Sequence, residues 1–218
     1  MVPEELGGMN VRKLMDRLYD NLDEAKAFAL SFTNFVYFYD DVYWGDFQTK
    51  VCEKCKRRVQ YKDYLVPKAN CKKPTGILHT YEFGVSQELR DELIARFDIT
   101  EADFRPIRSK KGEIVYYQIT PQNVMLPIYE ENGWIPKEPC PQCGSLQYHP
   151  HDFENEKGEF YYYISQSALN GMKDLNVTDE RFGLHTPIFV ISRRVYDFLT
   201  ERYPRTHYVP FFIQNHGN

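Results

Sequence analysis

The residues best suited to chemistry are four cysteines in two pairs, Cys52-Glu53-Lys54-Cys55 and Cys140-Pro141-Gln142-Cys143-Gly144. Two residues between cysteines let both thiolates reach one tetrahedral ion, while backbone N–H groups of the turn bond to sulfur. Pro141 stiffens the second turn, and Gly144 suits the positive φ often needed past the last cysteine. Four soft thiolates select zinc, with iron or an iron–sulfur cluster as alternatives. They also fill a tetrahedral shell and leave no open position for water, so the expected ion is a structural Zn2+. Other arrangements stay open on spacing alone: a redox-active CxxC, or two sites if His149 or His151 completes the second pair. A single shared site is the main expectation. It would clip the first half of the chain to the second, and loop entropy permits so long a closure because its cost grows only logarithmically.

The other candidates are weaker. Cys71 is unpaired, and a nucleophile there would need a histidine (His79 is the nearest downstream) and a third group in fixed geometry. It reads as a small loop or partly buried residue. In His149-Pro150-His151-Asp152 the proline keeps the chain extended and puts both imidazoles on one side, as expected of a surface loop leaving the second knuckle. No glycine-rich phosphate loop, G-x-S-x-G elbow or HExxH occurs, and the chain reads as a non-enzyme. Asp40, Asp41, Tyr43, Trp44 and Asp46 interleave acid with aromatic rings. That pattern fits a surface aimed at a basic protein partner, and equally a sheet with its polar face out and its rings buried.

These residues must be positioned by elements that the pattern locates. Asn10 is a helix N-cap candidate, and Val11, Leu14, Met15, Leu18, Leu22, Ala25, Ala29 and Phe32 form a helical stripe with a break near Asp20-Asn21. Residues 35–47 are aromatic and β-prone, 56–75 read as loop, and 76–85 as strand. Two Lys-Gly-Glu turns lead into tyrosine-rich strands at 113–119 and 159–164, the first as the second arm of a hairpin. Residues 171–184 are polar and read as exposed.

Two segments match. Val85-Ser86 opens a helix with Leu89, Leu93 and Phe97 on one face and is followed by Phe104-Arg105-Pro106-Ile107; Ile191-Ser192 opens another with Val195 and Leu199, followed by Tyr208-Val209-Pro210-Phe211. Each reads as strand, serine N-cap, short helix, then an aromatic-x-Pro strand, which suggests duplication. The expected fold is α+β: a helical N-terminal extension over 1–34, then a single zinc-ribbon domain over 35–218. Its two related strand–helix–strand halves, about 35–135 and 136–218, would be clipped by the four cysteines.

Hydrophobic residues make up 42% of the 218 and charged ones 27%, enough for a packed core and against disorder. Net charge is −4, which argues against general nucleic-acid binding. Lys54, Lys56, Arg57 and Arg58 nevertheless form a basic patch beside the first pair, so a zinc-ribbon nucleic-acid-binding regulator is the alternative reading. No basic segment followed by an apolar run opens the chain, and no apolar window approaches the roughly 18 residues of a membrane span. Paired CxxC cysteines fit a reducing compartment, and the expected location is the cytoplasm.

The order of aromatic strand, Cys52–Cys55, strand–serine–helix, Cys140–Gly144 and the second unit with Val190-Ile191-Ser192 and Val209-Pro210-Phe211 resembles the double-CxxCG-motif proteins. It is also similar to a wider set of bacterial polymorphic-toxin immunity proteins. Lys56 departs from that pattern, standing where the family has glycine, and residues 1–34 lie outside the resemblance. The resemblance implies an intracellular, non-catalytic protein that neutralises a cognate protein toxin by covering its active site or a working surface. Only the four cysteines carry over as functional residues.

Overall fold

The computed structural model describes residues 11–30, 48–55, 58–61, 65–66, 77–79, 83–109, 111–149, 153–182, 187–202 and 208–214. In chain order the elements are α1 (Val11–Leu18), β1 (Ala27–Leu30), β2 (Gln48–Val51), β3 (Arg58–Tyr61), β4 (Leu65–Val66), β5 (Ile77–His79), β6 (Phe83–Val85) and α2 (Gln87–Arg96). They continue with β7 (Phe104–Ser109), β8 (Ile114–Ile119), β9 (Asn123–Val124), β10 (Ile135–Pro136), β11 (Tyr148–His149), β12 (Phe153–Glu154), β13 (Phe160–Ile164) and α3 (Gln166–Asn170). Last come β14 (Leu175–Val177), β15 (Phe189–Ser192), α4 (Arg193–Arg202) and β16 (Tyr208–Ile213). The chain is thus mixed α+β, with four α-helices among the described residues and a core dominated by sheet.

Two sheets carry the fold. The larger has seven strands in the order β12-β13-β16-β1-β15-β14-β9, and the smaller has five in the order β4-β7-β8-β6-β5. Hairpins β2-β3 and β10-β11 stand apart from both. Strand β1 lies inside the larger sheet, antiparallel to β15 on one side and β16 on the other. Its side chains alternate as a strand requires: Phe28 and Leu30 enter one core, Ala27 and Ala29 the other. Phe189 and Ile191 of β15 share the first core while Val190 enters the second, so this sheet is buried on both faces. The first core also takes Val85, Leu89, Leu93, Phe104 and Ile119, and therefore joins the two sheets through α2 and α4.

Three sequence expectations need correction. The helical stripe ends at Leu18; Leu22–Glu24 is one 3-10 turn and Ala27–Leu30 is a strand, because two flanking strands offer it a full ladder of hydrogen bonds. The stretch 56–75, read as loop, contains β3 and β4. The stretch 171–184, read as exposed, contains β14, and Asp174, Asn176, Thr178 and Glu180 are each 2% exposed or less, while Gly171, Lys173 and Asp179 do face solvent. Polarity misled there, since buried polar groups are tolerated when they are hydrogen-bonded. Asn176 accepts from the Lys173 N–H at 2.8 Å and donates to the Val190 carbonyl at 3.2 Å; Thr178 Oγ1 accepts from Ile188 N–H at 3.0 Å; and Glu180 accepts from Ile128 N–H at 2.6 Å.

Other expectations hold. Ser86 Oγ caps α2 by accepting from Leu89 N–H at 3.2 Å, and Ser192 Oγ accepts from Val195 N–H at 3.4 Å. The β7-β8 hairpin turns at Gly112, whose φ of 86° a side chain would resist.

Candidate metal centre

Each cysteine pair occupies the tip of a two-stranded hairpin. Cys52 follows β2, and Cys55 lies in the turn before β3; Cys140 follows β10, and Cys143 lies in the turn before β11. The second turn is held by Gly144 N–H donating to the Cys140 carbonyl at 2.8 Å and Cys140 N–H donating to Ser145 O at 3.0 Å. Gly144 has φ of 68°, as expected past the last cysteine.

The fold brings both pairs together. All four sulfurs lie within 4.8 Å of one another, with Cys52 Sγ 3.8 Å from Cys140 Sγ and Cys55 Sγ 3.5 Å from Cys143 Sγ. Metal–sulfur bonds of about 2.3 Å at tetrahedral angles place sulfurs roughly 3.8 Å apart. None of the four cysteines is in a disulfide, whose S–S bond would be about 2.05 Å. The four residues could hold a metal ion, and their all-sulfur donor set suits a soft one. Cys52 and Cys140 are buried, Cys55 is partly covered and Cys143 is exposed, so the site opens to solvent on one side.

The turns prepare the thiols for ligation. Backbone N–H groups of Cys143 and then Gln142 aim at the Cys140 sulfur and lower its pKa to about 6 against the opposing effect of burial. The Cys55 N–H does most to lower that of Cys52, again against burial. Lys54 N–H donates to Gln142 Oε1 at 3.1 Å, a direct bond between the two knuckles.

Among the described residues, His149 is not part of this cluster. His149 sits exposed in β11, opposite Ile135. His151, Asp152, Cys71, Lys56 and Arg57 lie outside the described residues, as do Asp40, Asp41, Tyr43, Trp44 and Asp46.

A second polar constellation was not singled out from the sequence. Buried Asp174 accepts from Ser192 Oγ at 2.5 Å, from Asp98 N–H at 2.7 Å and from Arg194 Nε at 2.6 Å, and it forms an ion pair through Arg194 Nη2. Burial alone would raise its pKa, but Arg194, Ser192 and the Asp98 N–H outweigh burial and the net shift is downward. This carboxylate ties β14, α4 and the end of α2 together and reads as structural. Its only sequence signal was an aspartate at the start of a short apolar strand.

A scan against protein-family models and searches among curated proteins and solved structures found no match to the chain.

Proposed function

We propose that this chain is a non-catalytic binding protein of the double-CxxCG type, an immunity-like inhibitor whose two related halves are clipped by one structural zinc ion and whose partner is a cognate protein toxin. The observation that carries the metal reading is the set of four cysteine sulfurs, all within 4.8 Å of one another and contributed equally by two distant hairpins. Such a set leaves no coordination position for substrate or water, so its work is to hold scaffold in place. Zinc is favoured because it has no preferred geometry of its own and accepts four thiolates readily. The acidic balance of −4 suits a cationic partner, since opposite charge speeds encounter and penalises wrong partners. The toxin reading rests on the resemblance given above.

The test is co-expression with the toxin gene carried at the same locus. A stoichiometric complex that abolishes toxicity, with zinc present at one ion per chain, is the expected result. Failure to form that complex, together with salt-sensitive binding to DNA or RNA, would replace this reading with a nucleic-acid-binding regulator.

A further inference from the structure

The two sheets share more than a strand–helix–strand segment. In the smaller sheet β8 lies between β6 and β7, antiparallel to both; in the larger, β1 lies between β15 and β16, antiparallel to both. The next neighbours also agree: β5 is antiparallel to β6 as β14 is to β15, and β4 is parallel to β7 as β13 is to β16. Register agrees residue by residue. Tyr117 on the central strand faces Val85 and Pro106, and Phe28 on its counterpart faces Ile191 and Pro210. Val85 with Ile191 and Pro106 with Pro210 are the pairs matched between the two sequence segments; the match of Tyr117 with Phe28 comes from the register.

Helix contacts repeat the pattern. One turn past its N-cap serine, α2 lays Arg90 over the Tyr117 ring at 4.5 Å and near Phe104 at 5.9 Å. At the equivalent position α4 stacks Tyr196 on Phe28 at 3.6 Å and sets it edge-on to Tyr208 at 5.0 Å. Different chemistry, a guanidinium in one case and a phenol ring in the other, fills the same three-way contact.

The origin of the central strands breaks the parallel. Excluding them, and the edge strands β12 and β9 that only the larger sheet has, both sheets use their strands in one chain order: β4, β5, β6, α2, β7 and β13, β14, β15, α4, β16. Each set is preceded by a CxxC hairpin. The central strand β8 of the first sheet follows β7, whereas β1 of the second sheet comes before every other described strand. Both facts are met if the central strand is the first strand of every unit: β1 in the first unit, where α1 precedes it, and β8 in the second.

We infer that the chain is a tandem duplication whose two units have exchanged their first strands, each completing the other's sheet, with the four-cysteine centre on the pseudo-two-fold axis between them. The metal centre supports this independently. Two of its short sulfur contacts, Cys52 with Cys140 and Cys55 with Cys143, join equivalent positions, and the bond from Lys54 to Gln142 does so as well. Contacts between a residue and its own equivalent are what a two-fold interface produces. The chain is a covalently joined, strand-swapped pseudo-dimer, and neither unit has a complete sheet without the other. Its unit boundary falls in the Gly112 turn. The inference builds on the relatedness of the halves and is independent of toxin binding.

Cysteine pairs introduced into the full-length, metal-loaded protein test the exchange. The crossed pairs A29C/V190C and G84C/Q118C occupy facing positions in the two sheets. Uncrossed units would instead place A29C against G84C and Q118C against V190C. After mild oxidation, peptide mass spectrometry should find both crossed disulfides formed nearly completely and the uncrossed combinations unformed. Uncrossed bridging, or folded crossed variants that do not bridge, overturns the exchange while leaving the duplication in place. A second arm needs no new cysteine: a protease site is inserted beside Gly112 in the full chain and cut. One particle containing both pieces and a single metal ion is expected. Pieces that elute separately, or that each carry an ion, overturn the inference.

Discussion

At the scale of single residues, the thiols of the metal centre and the carboxylate of Asp174 respond to acid by different routes. The Cys140 pKa lies near 6 in the folded chain against 9.0 for a free thiol, so its contribution to stability is complete above 9.0 and is lost as pH falls through about 6. A metal must also compete with protons for the same sulfur. Zinc affinity, followed by competition with a chromophoric chelator, should therefore fall by at least about tenfold between pH 7 and pH 5. Cys143→Ser removes one of four ligands, and because ligation is coupled to folding, Tm should fall by roughly 10 °C or more with loss of stoichiometric metal. A variant that kept both would show that these sulfurs do not share an ion. Asp174→Asn replaces a buried carboxylate that accepts from Ser192, the Asp98 N–H and Arg194 with a neutral amide and should destabilise by about 1.5–3 kcal/mol in urea denaturation. Since the Asp174 pKa is lowered, its contribution is full above 3.8 and fades as pH falls through the lower folded value; the gap between parent and variant should close in that acidic window.

Among the elements, the helices are short and depend on their caps and on the core beneath them. Helix α2 has 10 residues, too few for independent stability, and Ser86 supplies one of its orphan N–H groups with an acceptor. Ser86→Ala should cost about 1 kcal/mol by chemical denaturation without changing the slope of the transition. This cap was legible because a serine sat between an apolar strand pattern and the periodic Leu89 and Leu93. Strand β1 was not legible, since Ala27-Phe28-Ala29-Leu30 is short, continues a helical period and shows its alternation only once cores lie on both faces. Strand β14 was hidden for the converse reason: its neighbours are polar, and their partners come from distant parts of the chain.

For the whole molecule, the shared core makes the two sheets one cooperative unit. Phe28 is fully buried, stacks on Tyr196 and packs among side chains of β15, α4 and β16. Phe28→Ala should cost about 3–5 kcal/mol through the cavity left behind, and unfolding should remain a single transition reported alike by tyrosine fluorescence and far-UV circular dichroism. Two separated transitions would mean that the sheets unfold independently.

What the sequence determined by itself was local. Two residues between cysteines set ligand geometry within each pair, serine before an apolar period set a helix start, and glycine set the turns at 112, 144 and 158. Each of these depends on neighbours within a few residues. Only the tertiary structure decided that Cys52 meets Cys140, that Ala27–Leu30 becomes an interior strand between β15 and β16 from the far end of the chain, and that aspartate, asparagine, threonine and glutamate from 174 to 180 lie inside. The physical reason is that those outcomes depend on which strand edges and hydrogen-bond partners are free elsewhere, and short-range periodicity carries no record of them.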